Sequence, residues 1–178
     1  MSQPDASPGD GRPGARPNVS EHDAACQLTM TIPADPGAIS VLSDRVAREL
    51  EERNWREDDV TAVQLALIEA LANAIRHGCR GDITKRVQCS VGCGDSDEIV
   101  VVVRDPGDGF NPDDVPDPLD PVNTFQPSGR GMLLMRAFMD HVVFADGGRE
   151  VQMRKRKGRD PRENAFTCED VPTGETDG

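Results

Sequence analysis

Three short stretches of the chain carry residue types that chemistry needs. The first is Glu69-Ala70-Leu71-Ala72-Asn73-Ala74-Ile75-Arg76-His77-Gly78. Glu69, Asn73 and His77 recur at every fourth position, so a helix stacks them on one face. Their neighbours are almost all Ala, Leu or Ile, which predicts a mostly buried helix. A Glu and an Asn in such a helix need partners, and lining a ligand pocket would supply them. The asparagine oxygen suits Mg²⁺, which takes oxygen ligands and often keeps water and phosphate. The carboxylate would orient or deprotonate an attacking group. The other reading of the stretch is an amphipathic helix whose polar stripe faces solvent.

The second stretch, Asp105-Pro106-Gly107-Asp108-Gly109-Phe110, follows an apolar run. Its glycines let the backbone turn sharply and approach a ligand closely. A carboxylate at a strand end can accept a hydrogen bond from an exocyclic amine, although a plain Asp-Gly turn would look the same. The third stretch is Ser128-Gly129-Arg130-Gly131-Met132. Glycines ahead of a helix leave backbone N–H groups open to phosphate. Arg130 is the only Lys or Arg between Arg104 and Arg136, placed either to touch a phosphate or to face water.

The elements that must hold these stretches follow from periodicity. Leu28, Met30 and Ile32 alternate with Gln27, Thr29 and Thr31, predicting a strand over Cys26–Ile32 that Pro33 and Pro36 end. Ile39, Leu42, Val46 and Leu50 predict a helix over Gly37–Glu52. A second helix starts from a cap at Asp58 or Asp59 and runs to about His77, with Gly78 as its stop. Val87–Val91 and Ile99–Val103 read as strands, the latter apolar throughout as in a buried strand. Asp105–Ser128 reads as a loop, rich in Pro and Asp and without Lys or Arg. Gly131–Met139 reads as a helix, and Val142–Ala145 and Val151–Arg154 as strands joined at the turn Asp146-Gly147-Gly148. This partial segregation predicts an α+β fold: a two-layer α/β sandwich, with helices on one face of a mixed, mostly antiparallel sheet.

Composition narrows the class. Aromatic residues are only 3% of the chain, so the core is built from aliphatic side chains and Met. The net charge of −12 repels nucleic acid and anionic membranes, so neither is an expected partner. No apolar run approaches the length that spans a bilayer and the first residues lack a signal-peptide pattern, which gives a cytoplasmic expectation. Five widely spaced cysteines do not suggest a disulfide framework. Cys89 and Cys93 could share a strand face, but no CxxC or His accompanies them as a zinc site would require. Residues 1–24 and 157–178 read as disordered tails around a domain at 25–156.

Each stretch is weak alone, and their combination is specific. Glu-x3-Asn on a helix, D-x-G-x-G after a strand and G-x-G before a helix, in that order, resemble the ATP site of the GHKL superfamily, which includes gyrase, MutL and histidine kinases. Within it, Glu69 through Gly78 and Gly129 through Met135, followed by Phe138-Met139-Asp140, are similar to anti-sigma-factor serine kinases of the RsbW type. The only His upstream of the first stretch is His22, in the tail, which does not fit a histidine kinase's phosphoacceptor domain. The resemblance implies a Bergerat-type ATP-binding fold and a homodimer. It also implies transfer of the ATP γ-phosphate to an anti-sigma-factor antagonist protein, and sequestration of a sigma factor when the antagonist is released. Carried over by motif, Glu69 is the general base and Asn73 the Mg²⁺ ligand. Asp105 accepts from the adenine amino group, Gly107 and Gly109 shape the adenine pocket, and Gly129, Arg130, Gly131 and Met132 lie near the phosphates. His77 is read as structural, and the acidic segment Asp105–Ser128 as the nucleotide lid. The alternatives are a catalytically silent regulator that keeps the fold and acts by protein contact alone, and a kinase of some regulatory partner with no sigma factor involved.

Overall fold

A computed structural model of the chain describes residues 27–93, 97–111, 114–115 and 130–159. Gly129, most of the segment read as a lid, the expected tail at 1–24 and everything beyond Arg159 lie outside the described residues. The elements run β1 (Gln27–Pro33), α1 (Gly37–Glu52), α2 (Glu57–Asn73), β2 (Arg86–Cys93), β3 (Glu98–Arg104), α3 (Arg130–Phe138), β4 (His141–Ala145) and β5 (Glu150–Arg156). The strands form one five-stranded sheet in the order β1-β2-β3-β5-β4. Every pairing is antiparallel, so among the described residues the sheet has no parallel pair and is antiparallel throughout rather than mixed. The cause lies in the last connection. β3 and β4 run in the same direction, but β5 folds back between them and hydrogen-bonds to both.

Strand alternation turns one face of the sheet inward. Val87, Cys89, Val91 and Cys93 of β2, Ile99, Val101 and Val103 of β3, and Val151 and Met153 of β5 are buried in one cluster with the apolar faces of the helices. α1 contributes Leu42, Val46 and Leu50, and α2 contributes Val63, Leu67, Ala70 and Leu71. α2 packs against both α1 and α3, which is why its sequence is apolar on so many sides. Truncating a wholly buried member such as Leu67 to Ala would cost about 2–5 kcal/mol.

α2 opens on Glu57, Asp58 and Asp59, where the helix dipole favours negative charge. Neither expected aspartate caps it: the N-cap is Arg56, without a side-chain cap bond. Asp59 turns inward instead, because Lys155 of β5 is buried and a buried ammonium requires a carboxylate. The pair stands at 3.2 Å. The second carboxylate oxygen accepts the Gly158 N–H at 2.7 Å, and Lys155 Nζ also donates to the Arg159 carbonyl at 2.8 Å. Lys157 Nζ donates to the Arg53 carbonyl at 3.0 Å. Bonding to the domain therefore continues through Arg159, past the expected edge at Arg156.

Candidate functional site

A cavity of about 540 Å³ opens between α2, α3, the loop after β3 and the β4–β5 turn, a size typical of small-molecule sites. Glu69 and Asn73 line it from α2, both half-buried. Among the described residues neither side chain has a hydrogen-bond or ion-pair partner. Beyond Asn73 the helix widens into a π-helical turn over Ala74–Gly78, closed by the Cys79 N–H on the Ala74 carbonyl at 2.8 Å. Such turns recur where a helix end serves a site. Here the turn leaves Arg76 and His77 exposed at the cavity wall, so His77 faces the cavity rather than the core.

β3 delivers Asp105 to the other end of the cavity. Asp105 Oδ1 accepts the Gly107 N–H at 2.8 Å, and its second oxygen takes no hydrogen bond among the described residues. Burial raises its carboxyl above the usual aspartate range, partly offset by the Gly107 N–H and by the nearby charges of Arg149 and Lys85. Two glycines pack behind it. A Cβ on Gly78 would lie 2.1 Å from Asp105 Cγ, and one on Gly107 would lie 2.7 Å from Gly78 Cα. Gly107 thus supports Asp105 from behind, whereas Gly109 lines the cavity itself.

Gly109 has φ +80°, a left-handed conformation that suits glycine. The loop it belongs to rests on the β4–β5 turn, where the Phe110 N–H donates to the Gly147 carbonyl at 2.9 Å. The Phe110 ring meets Phe144 of β4 edge-on, 5.6 Å between centroids. Val103, Met135, Phe144 and Val151 complete an apolar wall. Sequence reasoning did not find Phe110, Phe144, Arg76 or Arg149 as cavity residues. Their common signal was adjacency to a motif or to the Asp-Gly-Gly turn, and only the strand order brings that turn to the loop after β3.

α3 supplies the remaining side with Arg130, Gly131 and Met132. The helix begins at Arg130, so its first N–H groups stand at this end of the cavity, where an anion is favoured. A Cβ on Gly131 would lie 2.8 Å from Glu69 Oε2 and 3.0 Å from Asn73 Nδ2. The structure thus brings together Glu69, Asn73, Asp105, Gly109, Arg130, Gly131 and Met132 around one cavity, with Gly107 behind it. Chemically, the apolar slot ending in Asp105 suits a flat heteroaromatic ring bearing an amine, and the α3 end suits an anion beside a hard-oxygen ligand.

The chain is similar to known proteins over most of its length. Residues 32–155 match the family described as histidine kinase-like ATPase domain. A serine-protein kinase RsbW from Bacillus licheniformis is 28% identical over 157 residues, covering 84% of this chain and 98% of the relative. An anti-sigma F factor from Clostridium novyi is 33% identical over 103 residues, covering 54% of this chain and 68% of the relative. A crystal structure of the RsbU and RsbW domains of a Mycobacterium tuberculosis protein superposes with a TM-score of 0.54 at 16% identity, covering 75% of this chain and 33% of the other; that likeness is one of fold. With the family match spanning most of the chain and its motifs meeting in one cavity, the chain belongs to the histidine kinase-like ATPase domain family, in the branch of RsbW-type proteins.

Proposed function

We propose that this chain is an ATP-dependent serine/threonine-protein kinase that phosphorylates an anti-sigma-factor antagonist and, when free of it, sequesters a sigma factor, working as a cytoplasmic homodimer. The observation that carries the catalytic half is Glu69 and Asn73, half-buried in the cavity wall with no side-chain partner among the described residues and with Gly131 pressed against both. Polar groups so placed are open to a ligand that replaces water in the cavity. The regulatory half is supported by the relatives, which are called serine-protein kinase RsbW and anti-sigma F factor. Among the described residues no helix is long and apolar enough to cross a membrane.

Asn73 offers one hard oxygen, and the described residues contain no group of three His, Cys, Asp or Glu that could hold a metal ion. That donor set fits Mg²⁺, which binds through few protein oxygens together with water and substrate phosphates. Bound there, Mg²⁺ supplies charge neutralisation on the transferring phosphoryl group. Asp105 accepts a hydrogen bond from the adenine amino group, and the apolar walls hold the ring. Arg130 and the first N–H groups of α3 hold phosphate oxygens. Glu69 takes the proton of the partner's Ser or Thr hydroxyl while that oxygen bonds to the γ-phosphorus. The bond from the γ-phosphorus to its bridging oxygen breaks, and ADP leaves. Gly131, having no side chain, leaves Glu69 and Asn73 room to face the nucleotide.

Calorimetric titration of ATP, with and without Mg²⁺, into the wild type and Asn73→Ala tests the reading. Binding that needs both Mg²⁺ and Asn73 supports it. A folded wild type that takes up no ATP overturns the kinase and leaves a regulator acting by contact alone.

A further inference from the structure

We infer that Asp146, a residue outside the cavity, sets nucleotide recognition by clamping Arg149 against the base-binding loop. The inference rests on reading the cavity as an ATP site. Asp146 lies in the β4–β5 turn with φ 50°. Its carboxylate is shared between two arginines. Oδ1 accepts from Arg149 Nη2 at 2.6 Å, and Oδ2 accepts from Arg104 Nη2. Arg149 Nε adds a bond to the Asp146 carbonyl at 3.0 Å, so its guanidinium is fixed at two points.

Arg149 is where this clamp meets the nucleotide site. It lines the cavity, and its Cγ lies 3.1 Å from where a Cβ on Gly109 would stand. Its carbonyl accepts the Asp105 N–H at 3.0 Å. The far end of the same loop hangs on the same turn, through the Phe110 N–H and the Gly147 carbonyl at 2.9 Å. Little slack remains between them. A Cβ on Gly109 would come 2.1 Å from the Gly147 oxygen, and one on Gly148 would come 2.1 Å from the Phe110 oxygen. Arg104, the last residue of β3, ties the clamp to the backbone directly before Asp105.

The three charged side chains are 31% to 50% exposed, and exposed ion pairs contribute little to stability. What the clamp fixes is position. Asp105 selects adenine because that base presents an amine where guanine presents a carbonyl oxygen, and the selection depends on where the loop holds the carboxylate. Asp146 is therefore a positioning residue acting through Arg149.

The test is calorimetric titration of Mg-ATP and Mg-GTP into wild type, Asp146→Asn, Arg149→Gln and the double variant, with the thermal midpoint of each. Asparagine tolerates the left-handed backbone while removing the charge. The expected result is an ATP affinity lowered roughly tenfold, the scale of one lost charged hydrogen bond, with a smaller loss for GTP. The preference for ATP narrows, the midpoint stays near wild type, and the double variant loses no more than either single one. Undiminished preference in Asp146→Asn, or additive losses, overturns the clamp while leaving the ATP site standing. Equal losses for both nucleotides with a lowered midpoint mark a structural role and overturn it as well. Should Asp146→Asn fail to fold, Arg149→Gln decides: narrowed preference supports the clamp, and unchanged preference overturns it. A folded wild type that binds neither nucleotide overturns the functional reading and the clamp with it.

Discussion

Gly131 stands so close to Glu69 that a Cβ on the glycine would lie 2.8 Å from Oε2. Backbone Cβ atoms do not come so near, so in Gly131→Ala the carboxylate and the Asn73 amide, 3.0 Å away, must both move. These are ends of side chains rather than backbone, so the helix pair can survive the change. The expected outcome is a near-native thermal midpoint with phosphotransfer reduced by about ten- to a hundredfold, the usual effect of a displaced reacting group. Steady-state phosphorylation beside a melting curve checks it. Full activity would remove the proposed roles from Glu69 and Asn73 in these positions.

Glu69→Gln makes a narrower cut. Glutamine keeps the size and the acceptor oxygen of Glu69 but cannot take a proton. ATP affinity is expected to stay close to wild type, while phosphate transfer to the antagonist falls by about 10²–10⁴-fold. Titration of ATP and labelled-phosphate transfer measure the two separately. Equal transfer by the variant would remove the base role from Glu69.

Much of this site was legible because its signals are local. Glu69 and Asn73 at helical spacing among alanines and leucines pointed to a polar face in a pocket, beside the reading of a solvent-facing stripe, and Asp105 followed an apolar run that reads as a buried strand. What stayed hidden depends on residues far apart in the chain. The Asp146-Gly147-Gly148 turn reads as a hairpin turn, and nothing local says that β5 inserts beside β3 and carries it to Gly109. Asp59 reads as a helix cap because aspartates near a helix start usually are. Its partner was nevertheless detectable: Val151, Met153 and Lys155 alternate, which places the lysine on the inward face of its strand.

That buried pair supports a prediction about stability. The Lys155 and Asp59 side chains are only 2% and 7% exposed. Asp59→Ala strands the ammonium and is expected to cost about 3–5 kcal/mol. The double variant Asp59→Leu/Lys155→Met removes both charges and should recover most of that loss, because apolar replacement of a buried pair is often neutral. Urea unfolding of the three proteins compares them directly. A loss below about 1 kcal/mol in Asp59→Ala would place the lysine in water, where ion pairs contribute little.

The last prediction concerns pH and Asp105, whose carboxyl burial holds above the ordinary aspartate range. As pH falls, Asp105 takes its proton earlier than a free aspartate. Oδ1 already accepts the Gly107 N–H, so the proton goes to Oδ2, the oxygen the proposed adenine contact would use. ATP affinity should therefore be full above the raised pKa and decline as pH drops through it. The phosphates of ATP also take up protons in acid, and Asp105→Asn separates the two effects. The variant binds ATP more weakly and keeps only the phosphate part of the acid limb. Stability runs the opposite way. With its folded pKa above the unfolded value, Asp105 costs stability once ionised, and the cost grows as pH rises from the unfolded to the folded pKa. Asp105→Asn should accordingly melt higher than wild type at neutral pH, and the difference should vanish below both pKa values. Nucleotide titrations and melting curves across the acid range check both limbs. Identical acid limbs in the two proteins would show that Asp105 does not contact the base.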